Sequence, residues 1–456
     1  MHQFESYRSS VEGKKFTVIG AAESGFAVSL LLNSRGAKVF VSEKDQIDRV
    51  AKEISILEKA SVHYETGGHT SKVLDAECIV ISPGVPPTIP IIKEAERIGI
   101  PIISEIEIAS WFCKGKTIAI TGSNGKTTTT TLLGKMLTDA GFRTFIGGNI
   151  SPAFSTIVEE TSESSITVLE LSSFQLERIP TFKPDIACIL NVYRNHLNRY
   201  ENSMEKYAFA KANIFRNQSA TDILIYNADN PWSERLVRNA TSVTIPFSLI
   251  KQVGTGGFVH EDELTIVWQN EVHSILSHST MPLKGPHNQQ NALAASIAAV
   301  VCGANIENIR STLSSFQGLE HRVEFVRDVN GVRYFNDSKA TDVAAVIMAL
   351  ETFIEPVILI LGGQDKGNDY SELLDVVRTK VKKIVAIGES SKKISSAFGV
   401  VVDVLEASTM EKAVEHASSS AMRGQIVLLS PACASFDWYK NYEERGTHFK
   451  RIVGAL

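Results

Sequence analysis

Lys116-Thr-Ile-Ala-Ile-Thr-Gly122-Ser-Asn-Gly125-Lys126-Thr127-Thr128 is the stretch on which the reading of this chain turns. An apolar run of strand character meets a glycine turn, and a helix begins at once. That order aims the backbone N–H groups of Gly122, Ser123, Asn124 and Gly125, and of the first helical residues through Thr128, at one point. Such a cradle suits a phosphate chain. Lys126 would neutralise the outer phosphates, and Thr127 would offer its hydroxyl to magnesium. The strict GxxxxGK[ST] pattern is not met, because Ile120 stands at its first glycine and Gly122 must supply the bend. A glycine turn followed by a chance Lys-Thr is the plainer alternative. A phosphate loop does not by itself name a reaction.

On both sides of this segment, apolar runs of strand length alternate with amphipathic helical stretches, which predicts α/β architecture with parallel sheets. The pattern restarts in three blocks. In the first, strands are expected at 16–19, 38–41 and 78–82, with a last helix or linker over 105–114. The second has strands at 116–121, 166–169, 185–192 and 222–226, a helix over 127–140, a β-rich segment over 242–283, and an alanine-rich helix from Asn288 to about Cys302. The third has strands at 332–335, 357–361, 383–387, 400–404 and 426–429. Three domains follow, at 1–112, 113–318 and 319–456.

Composition narrows the class. With 456 residues, 43% hydrophobic and 21% charged, the chain is globular in balance. A formal charge of -5 gives no basic footprint for nucleic acid, yet does not exclude anionic ligands, which are bound locally. Five cysteines without a CxxC pair predict a reducing compartment and no cysteine metal site. MHQFESYRSS lacks the apolar core of a signal peptide, and no apolar run is long enough for a bilayer. The expectation is a soluble, cytoplasmic protein without membrane insertion.

Other candidates cluster at predicted strand ends. Gly20-Ala-Ala22-Glu23-Ser24-Gly25 approximates GxGxxG, with Ala22 at the middle glycine; Glu43 follows the next strand, where an acid meets a ribose. It fits NAD, a nucleotide-sugar diphosphate, or an ordinary βαβ turn with no ligand. Glu170 closes strand 166–169 beside the phosphate loop, a position suited to magnesium or to an unremarkable strand-end acid. His196 fits a metal ligand, a group that polarises a substrate oxygen, or a plain loop residue. Lys211 reads as a surface lysine on a helix. Asn288 and Asn291 share a helix face and would read a nucleobase edge or cap the helix.

In the third block His321-Arg322 and three strand-end clusters stand out: Asn336-Asp337-Ser338-Lys339-Ala-Thr341, Gly362-Gly-Gln-Asp-Lys366 and Ser430-Pro-Ala-Cys-Ala-Ser435-Phe436-Asp437. Active sites of open α/β sheets gather at such ends. Arg322, Lys339 and Lys366 make this one cationic, as an acidic substrate or ATP would require.

The motifs taken together carry a resemblance. TGSNGKTT at 121–128, ELSSFQLE at 170–177, the Asn191-to-Tyr200 segment containing His196-Leu-Asn-Arg199-Tyr200, HNQQNALAA at 287–295, HRVE at 321–324, NDSKATD at 336–342 and SPACASFDWYKNYEERG at 430–446 occur in order. This set resembles the Mur ligase family over essentially the whole chain, and its D-glutamate-adding members in particular. The Asp-Asn-Pro-Arg segment expected of the diamino-acid-adding relatives is missing.

The resemblance implies a UDP-binding Rossmann-like domain, a central ATPase domain and a C-terminal Rossmann-like domain. It implies an ATP- and magnesium-dependent monomer that joins D-glutamate to UDP-N-acetylmuramoyl-L-alanine through an acyl phosphate. By motif, Lys126, Thr127, Glu170, His196 and Lys211, the last as a carbamate, would serve the phosphates and the metal. Asn288 and Asn291 would meet adenine, Arg322 a phosphate and Asp337 the ribose. Lys339, Thr341, Lys366, Ser435, Phe436 and Tyr442 would form the D-glutamate pocket. Ala22, Glu23, Ser24, Glu43, Gly84 and Asn149 would form the UDP-sugar site. Asn195 and Asn198 stand where the family commonly has acids, with Arg194 alongside, so negative charge is missing beside the histidine. Competing readings are another Mur ligase, a folylpolyglutamate synthase-like ligase, an NAD-dependent oxidoreductase and a non-catalytic nucleotide-binding regulator.

Overall fold

The computed structural model describes residues 2–365 and 367–456; Lys366 lies outside them. Among the described residues the chain forms three sheets. The first runs His63–Glu65, Lys38–Ser42, Lys15–Ile19, Cys78–Ile81, Ile102–Ser104, all parallel. The second has nine strands, with Lys116–Thr121 between Ile186–Ile189 and Ile166–Glu170. The third runs Glu324–Val329, Val332–Asn336, Ile426–Leu429, Val357–Gly362, Val381–Ile387, Asp403–Ala407, antiparallel only in its first pair. Packing divides the chain into two compact units: 1–277 with 290–313, holding the first two sheets, and 278–289 with 314–456, holding the third.

Strand order decides where sites can form. In the first sheet the chain winds outward in both directions from Lys15–Ile19 and its neighbour Cys78–Ile81. The turns after these two strands, starting at Gly20 and Ser82, therefore flank the crevice where winding reverses. In the second sheet the same reversal falls between Lys116–Thr121 and Ile186–Ile189, so the phosphate loop and the segment from Leu190 share a crevice. Strand Lys116–Thr121 is buried at every residue after its lysine, as a strand covered on both faces must be.

Several expected bounds shift. The strand expected over 185–192 ends at Ile189. Beyond it the backbone leaves the ladder: the Asn191 carbonyl accepts from the Ser123 N–H at 3.0 Å. The strand expected over 400–404 is Asp403–Ala407. The valine run has strand propensity, but the amides of Val401 and Val402 both close a turn on the Phe398 carbonyl, at 2.8 and 3.0 Å. The alanine-rich helix begins at Pro286, so Asn288 is inside its first turn and is not the N-cap. The short strands His63–Glu65 and Ile102–Ser104 escape periodicity because three residues hold too little of it. No helix among the described residues is long and apolar enough to cross a membrane.

Candidate functional site

The phosphate loop is built from its glycine outward. Gly125 stands before helix Lys126–Asp139 at φ +84°, and a Cβ there would lie 2.2 Å from Asn291 Oδ1. Both the left-handed backbone and the close amide require glycine. Asn191 then braces the loop from the segment just after strand Ile186–Ile189: its Oδ1 accepts from the Asn124 N–H at 2.9 Å, and its Nδ2 donates to the Asn124 carbonyl at 3.1 Å. The Ser123 hydroxyl meets the Tyr193 backbone and the Tyr207 hydroxyl, at 2.9–3.1 Å. Asn191 opens a motif segment and Tyr207 lies outside every motif. Nothing in their spacing announces a brace.

Lys126 Nζ donates to the carbonyls of Gly122 and Ser123, at 2.9 and 3.0 Å. Lys211 Nζ donates to the Gly122 carbonyl at 2.8 Å and lies 4.6 Å from the centre of the Tyr207 ring. The reading of Lys211 as a surface lysine is therefore wrong, since it is 1% exposed. Helix Met204–Ala212 turns this residue inward towards the phosphate loop, and the helix's own sequence could not show which face would be covered. Burial, with Lys126 adding to it, pushes the Lys211 amine well below the usual lysine range; Glu170 opposes the shift.

Glu170 ends its strand fully buried. Its Oε1 accepts from Asn149 Nδ2 at 2.8 Å, while its Oε2 is buried without a hydrogen-bond partner. A solitary buried carboxylate oxygen beside a phosphate cradle has the hardness and charge a divalent cation needs. Asn149, expected at the UDP-sugar site, is thereby joined to Glu170; its own N–H also donates to the Glu170 carbonyl at 2.7 Å. His196 opens the turn Leu197–Tyr200 at φ +53°, exposed, with its ring 5.1 Å from that of Phe174 and edge-on to it.

In the first sheet, the Glu43 carboxylate accepts from the N–H groups of Ala21 and Asp45, at 2.6 and 2.9 Å. The acid thus holds the glycine turn itself. A Cβ on Gly25 would lie 1.9 Å from the Gly20 carbonyl, so this glycine is required for helix Glu23–Ser34 to reach the strand. Ala22 and Glu23 are exposed and Ser24 is half-buried, at the start of that helix. Around Gly84 the space is open: a Cβ there would meet nothing within 4 Å.

The third sheet carries its own cluster. Asp337 is buried; it accepts from the Ser430 hydroxyl at 2.7 Å and from the Val323 N–H at 3.2 Å. Burial pushes its carboxyl up to about 7 against those bonds and nearby Arg322. Lys339 Nζ sits 3.7 Å from the Tyr442 ring centre, so these two predicted residues are together. Arg445, part of the 430–446 motif but without a role assigned from sequence, ties the loops: it donates to the Ser338 carbonyl at 2.8 Å, the Ser338 hydroxyl at 3.0 Å and the Ala434 carbonyl at 3.2 Å. It is 1% exposed, and burial lowers its guanidinium to about 10. Ser435 is buried, whereas Thr341 and Phe436 are exposed. Asn288 Nδ2 donates to the Lys284 carbonyl at 2.8 Å.

Comparison with known proteins follows the same three-part division. Residues 15–91 match a MurD N-terminal domain, 120–299 a Mur ligase middle domain, and 321–433 a Mur ligase glutamate ligase domain. The chain is 43% identical to the UDP-N-acetylmuramoylalanine–D-glutamate ligase of Chloroherpeton thalassium, over 98% of this chain and 99% of that one. It is likewise 43% identical to the enzyme of that name from Salinibacter ruber, with 98% and 99% covered. Among solved structures, the UDP-N-acetylmuramate–alanine ligase of Thermotoga maritima superposes with a TM-score of 0.59 at 19% identity, covering 97% of this chain and 100% of that one. A pseudomurein peptide ligase type C from Methanothermus fervidus gives 0.60 at 18%, with the same coverage. At these identities the two structures speak to the fold alone.

Proposed function

The chain belongs to the Mur ligase family, among its D-glutamate-adding members, and from that premise we propose that it joins D-glutamate to UDP-N-acetylmuramoyl-L-alanine. The family's chemistry is ATP-dependent formation of an amide with release of ADP. In the proposed reaction the terminal phosphate of ATP passes to the alanine carboxylate. The amine of D-glutamate then attacks the acyl phosphate, and the tetrahedral adduct collapses to amide and phosphate. The tasks for the protein are alignment and the shielding of negative charge.

The observation that carries this reading is that Lys126 and Lys211 both bond to the Gly122 carbonyl, while Glu170, paired opposite Ile120 at the strand end, acts electrostatically on Lys211. Lys126, with the loop amides and Thr127, holds the phosphates. The unpartnered oxygen of Glu170, together with His196, Thr127 and a carbamylated Lys211, supplies the donor set for magnesium, which would offset phosphate charge. Asn288, Asn291, Arg322 and Asp337 serve the nucleotide. Ala22, Glu23, Ser24, Glu43, Gly84 and Asn149 serve the UDP-sugar, with Asn149 acting through Glu170 as well. Lys339, Thr341, Lys366, Ser435, Phe436 and Tyr442 serve D-glutamate. The domains run 1–112, 113–318 and 319–456, and the enzyme acts in the cytoplasm as a monomer, in peptidoglycan precursor synthesis.

The deciding experiment is phosphate release with ATP, magnesium and UDP-N-acetylmuramoyl-L-alanine, comparing D-glutamate with L-glutamate and other amino acids. Release that depends on D-glutamate supports the proposal. Equal release with another amino acid would move the chain to a different ligase, and release needing no acceptor would leave only a nucleotidase.

A further inference from the structure

Arg199 is the arginine of the His196-Leu-Asn-Arg199-Tyr200 segment. It lies on the turn Leu197–Tyr200, three places after His196. Its guanidinium is spent in three directions. Nε and Nη2 donate to the two carboxylate oxygens of Glu177, at 3.3 and 3.0 Å. Nη1 donates to the carbonyl of Pro83 at 3.2 Å and more weakly to that of Val85 at 3.5 Å. The flat face rests 4.1 Å from the centre of the Phe174 ring, which also meets the His196 imidazole edge-on at 5.1 Å and stacks on the Tyr200 ring at 6.3 Å.

These partners come from separate elements. Pro83 and Val85 belong to the turn after strand Cys78–Ile81 of the first sheet and flank Gly84. Phe174 lies on the short helix Ser173–Leu176 that follows Glu170, and Glu177 caps that helix at its C-terminus. The Arg199 and Glu177 side chains are only 16% and 20% exposed, so neither is a solvated surface charge. Planarity decides the choice of residue. A guanidinium spreads donors over one plane and stacks its face on an aromatic ring; an ammonium cannot grip a carboxylate fork, two carbonyls and a ring together.

We propose that Arg199 is a positioning residue that fixes the Pro83–Val85 turn against the His196 segment, and so sets the UDP-sugar site in register with the phosphate loop. This rests on the functional reading above, in which Gly84 borders the UDP-sugar. Glu177 aims the guanidinium, and Phe174 conveys its position to His196. None of these three need touch substrate.

The test uses the full-length enzyme and steady-state phosphate release, with Arg199→Lys, Glu177→Gln and the double variant. The expected result for Arg199→Lys is a rise of tenfold or more in KM for the UDP-sugar substrate. KM for ATP should stay within twofold, and the melting temperature should stay close to that of the parent. Glu177→Gln should move the same KM in the same direction. The double variant should be no worse than the poorer single one, because the pair acts as a unit. An unchanged KM for the UDP-sugar in Arg199→Lys overturns the proposal, as do equal rises in both KM values or strictly multiplicative effects in the double variant. If the parent enzyme itself shows no turnover needing both UDP-sugar and D-glutamate, the functional reading fails instead, which keeps the two failures distinct.

Discussion

Lys126 and Lys211 donate to one and the same oxygen, the carbonyl of Gly122, at 2.9 and 2.8 Å. Two ammonium groups so close, one of them buried, cannot both be comfortably charged. The cost falls on Lys211, whose proton affinity is lowered by burial first and by Lys126 second. A deprotonated amine is a nucleophile; carbon dioxide adding to it, with loss of the nitrogen's proton to solvent, would give a carbamate, an anion beside Glu170. Enzyme held in 13C-bicarbonate is expected to show a carbamate carbon resonance that is missing from Lys211→Arg, whose side chain stays protonated. Phosphate release should fall at least 100-fold in that variant. A resonance of equal intensity in both proteins would sink the idea.

Lys126 itself is expected to act on ATP alone. Lys126→Ala should abolish turnover while leaving the affinity for UDP-N-acetylmuramoyl-L-alanine within about threefold, read by calorimetry without ATP. The reason is separation: the glycine turn at Gly20 and the phosphate loop lie at the crevices of different sheets. Equal loss of both affinities would show that one site serves both nucleotides.

A backbone test of the same loop is sharper. Gly125→Ala combines a φ of +84° with a Cβ 2.2 Å from Asn291 Oδ1. The strain of a left-handed alanine costs about 1 kcal/mol by itself, and the displaced amide adds to it. ATP binding should weaken at least tenfold, because the loop must open to relieve the contact. Parent-like ATP affinity would mean the loop is softer than its hydrogen bonds imply.

How far the sequence carried this reading depends on the kind of signal. The phosphate loop was legible because strand, glycine turn and helix follow each other within a few residues, and local order alone fixes their geometry. Lys211 was not, because its depth is set by how helix Met204–Ala212 packs against helices Ser173–Leu176 and Pro231–Val237, which lie far from it in sequence; only the family resemblance points to it. Arg445 escaped for a related reason. An arginine in Glu-Glu-Arg-Gly reads as solvated helix surface, yet its fork closes on Ser338 and Ala434, whose loops come from distant parts of the chain. The bond from Asn149 to the Glu170 carboxylate joins residues 21 positions apart, and no motif announces it. The valines at 400–402 misplaced a strand because propensity is blind to the turn that Phe398 closes.

Asp337 should leave a mark on the pH dependence of stability. Its carboxyl is raised from 3.8 to about 7 on folding, chiefly by burial. Between those values the folded chain keeps a proton that the unfolded chain has released. The contribution to stability is therefore full below about pH 4, declines as pH rises, and is lost above about 7. Asp337→Asn removes this titration. Melting temperatures of parent and variant measured from pH 5 to 8 should diverge, with the parent falling more steeply. Parallel curves across that range would show that Asp337 is not held protonated.

Glu107 offers a prediction about cohesion. It lies fully buried on helix Glu105–Phe112, at the end of the first sheet's chain segment. Its carboxylate accepts from Trp111 Nε1 at 3.0 Å, from the Phe182 N–H at 2.8 Å, and from the backbone N–H of Thr181 at 3.0 Å as well as its hydroxyl. The carboxylate therefore fastens the helix leaving the first sheet to the loop that precedes strand Ile186–Ile189 of the second. Glu107→Ala deletes the acceptor and strands several donors, a loss of about 2–4 kcal/mol. Glu107→Gln retains one acceptor oxygen and should lose less. The measurement is the melting temperature of the first transition, expected to drop several degrees for Ala and less for Gln. Equal drops would mean the loss comes from charge rather than from the count of acceptors, and no drop in either would remove Glu107 as the fastening between the two sheets.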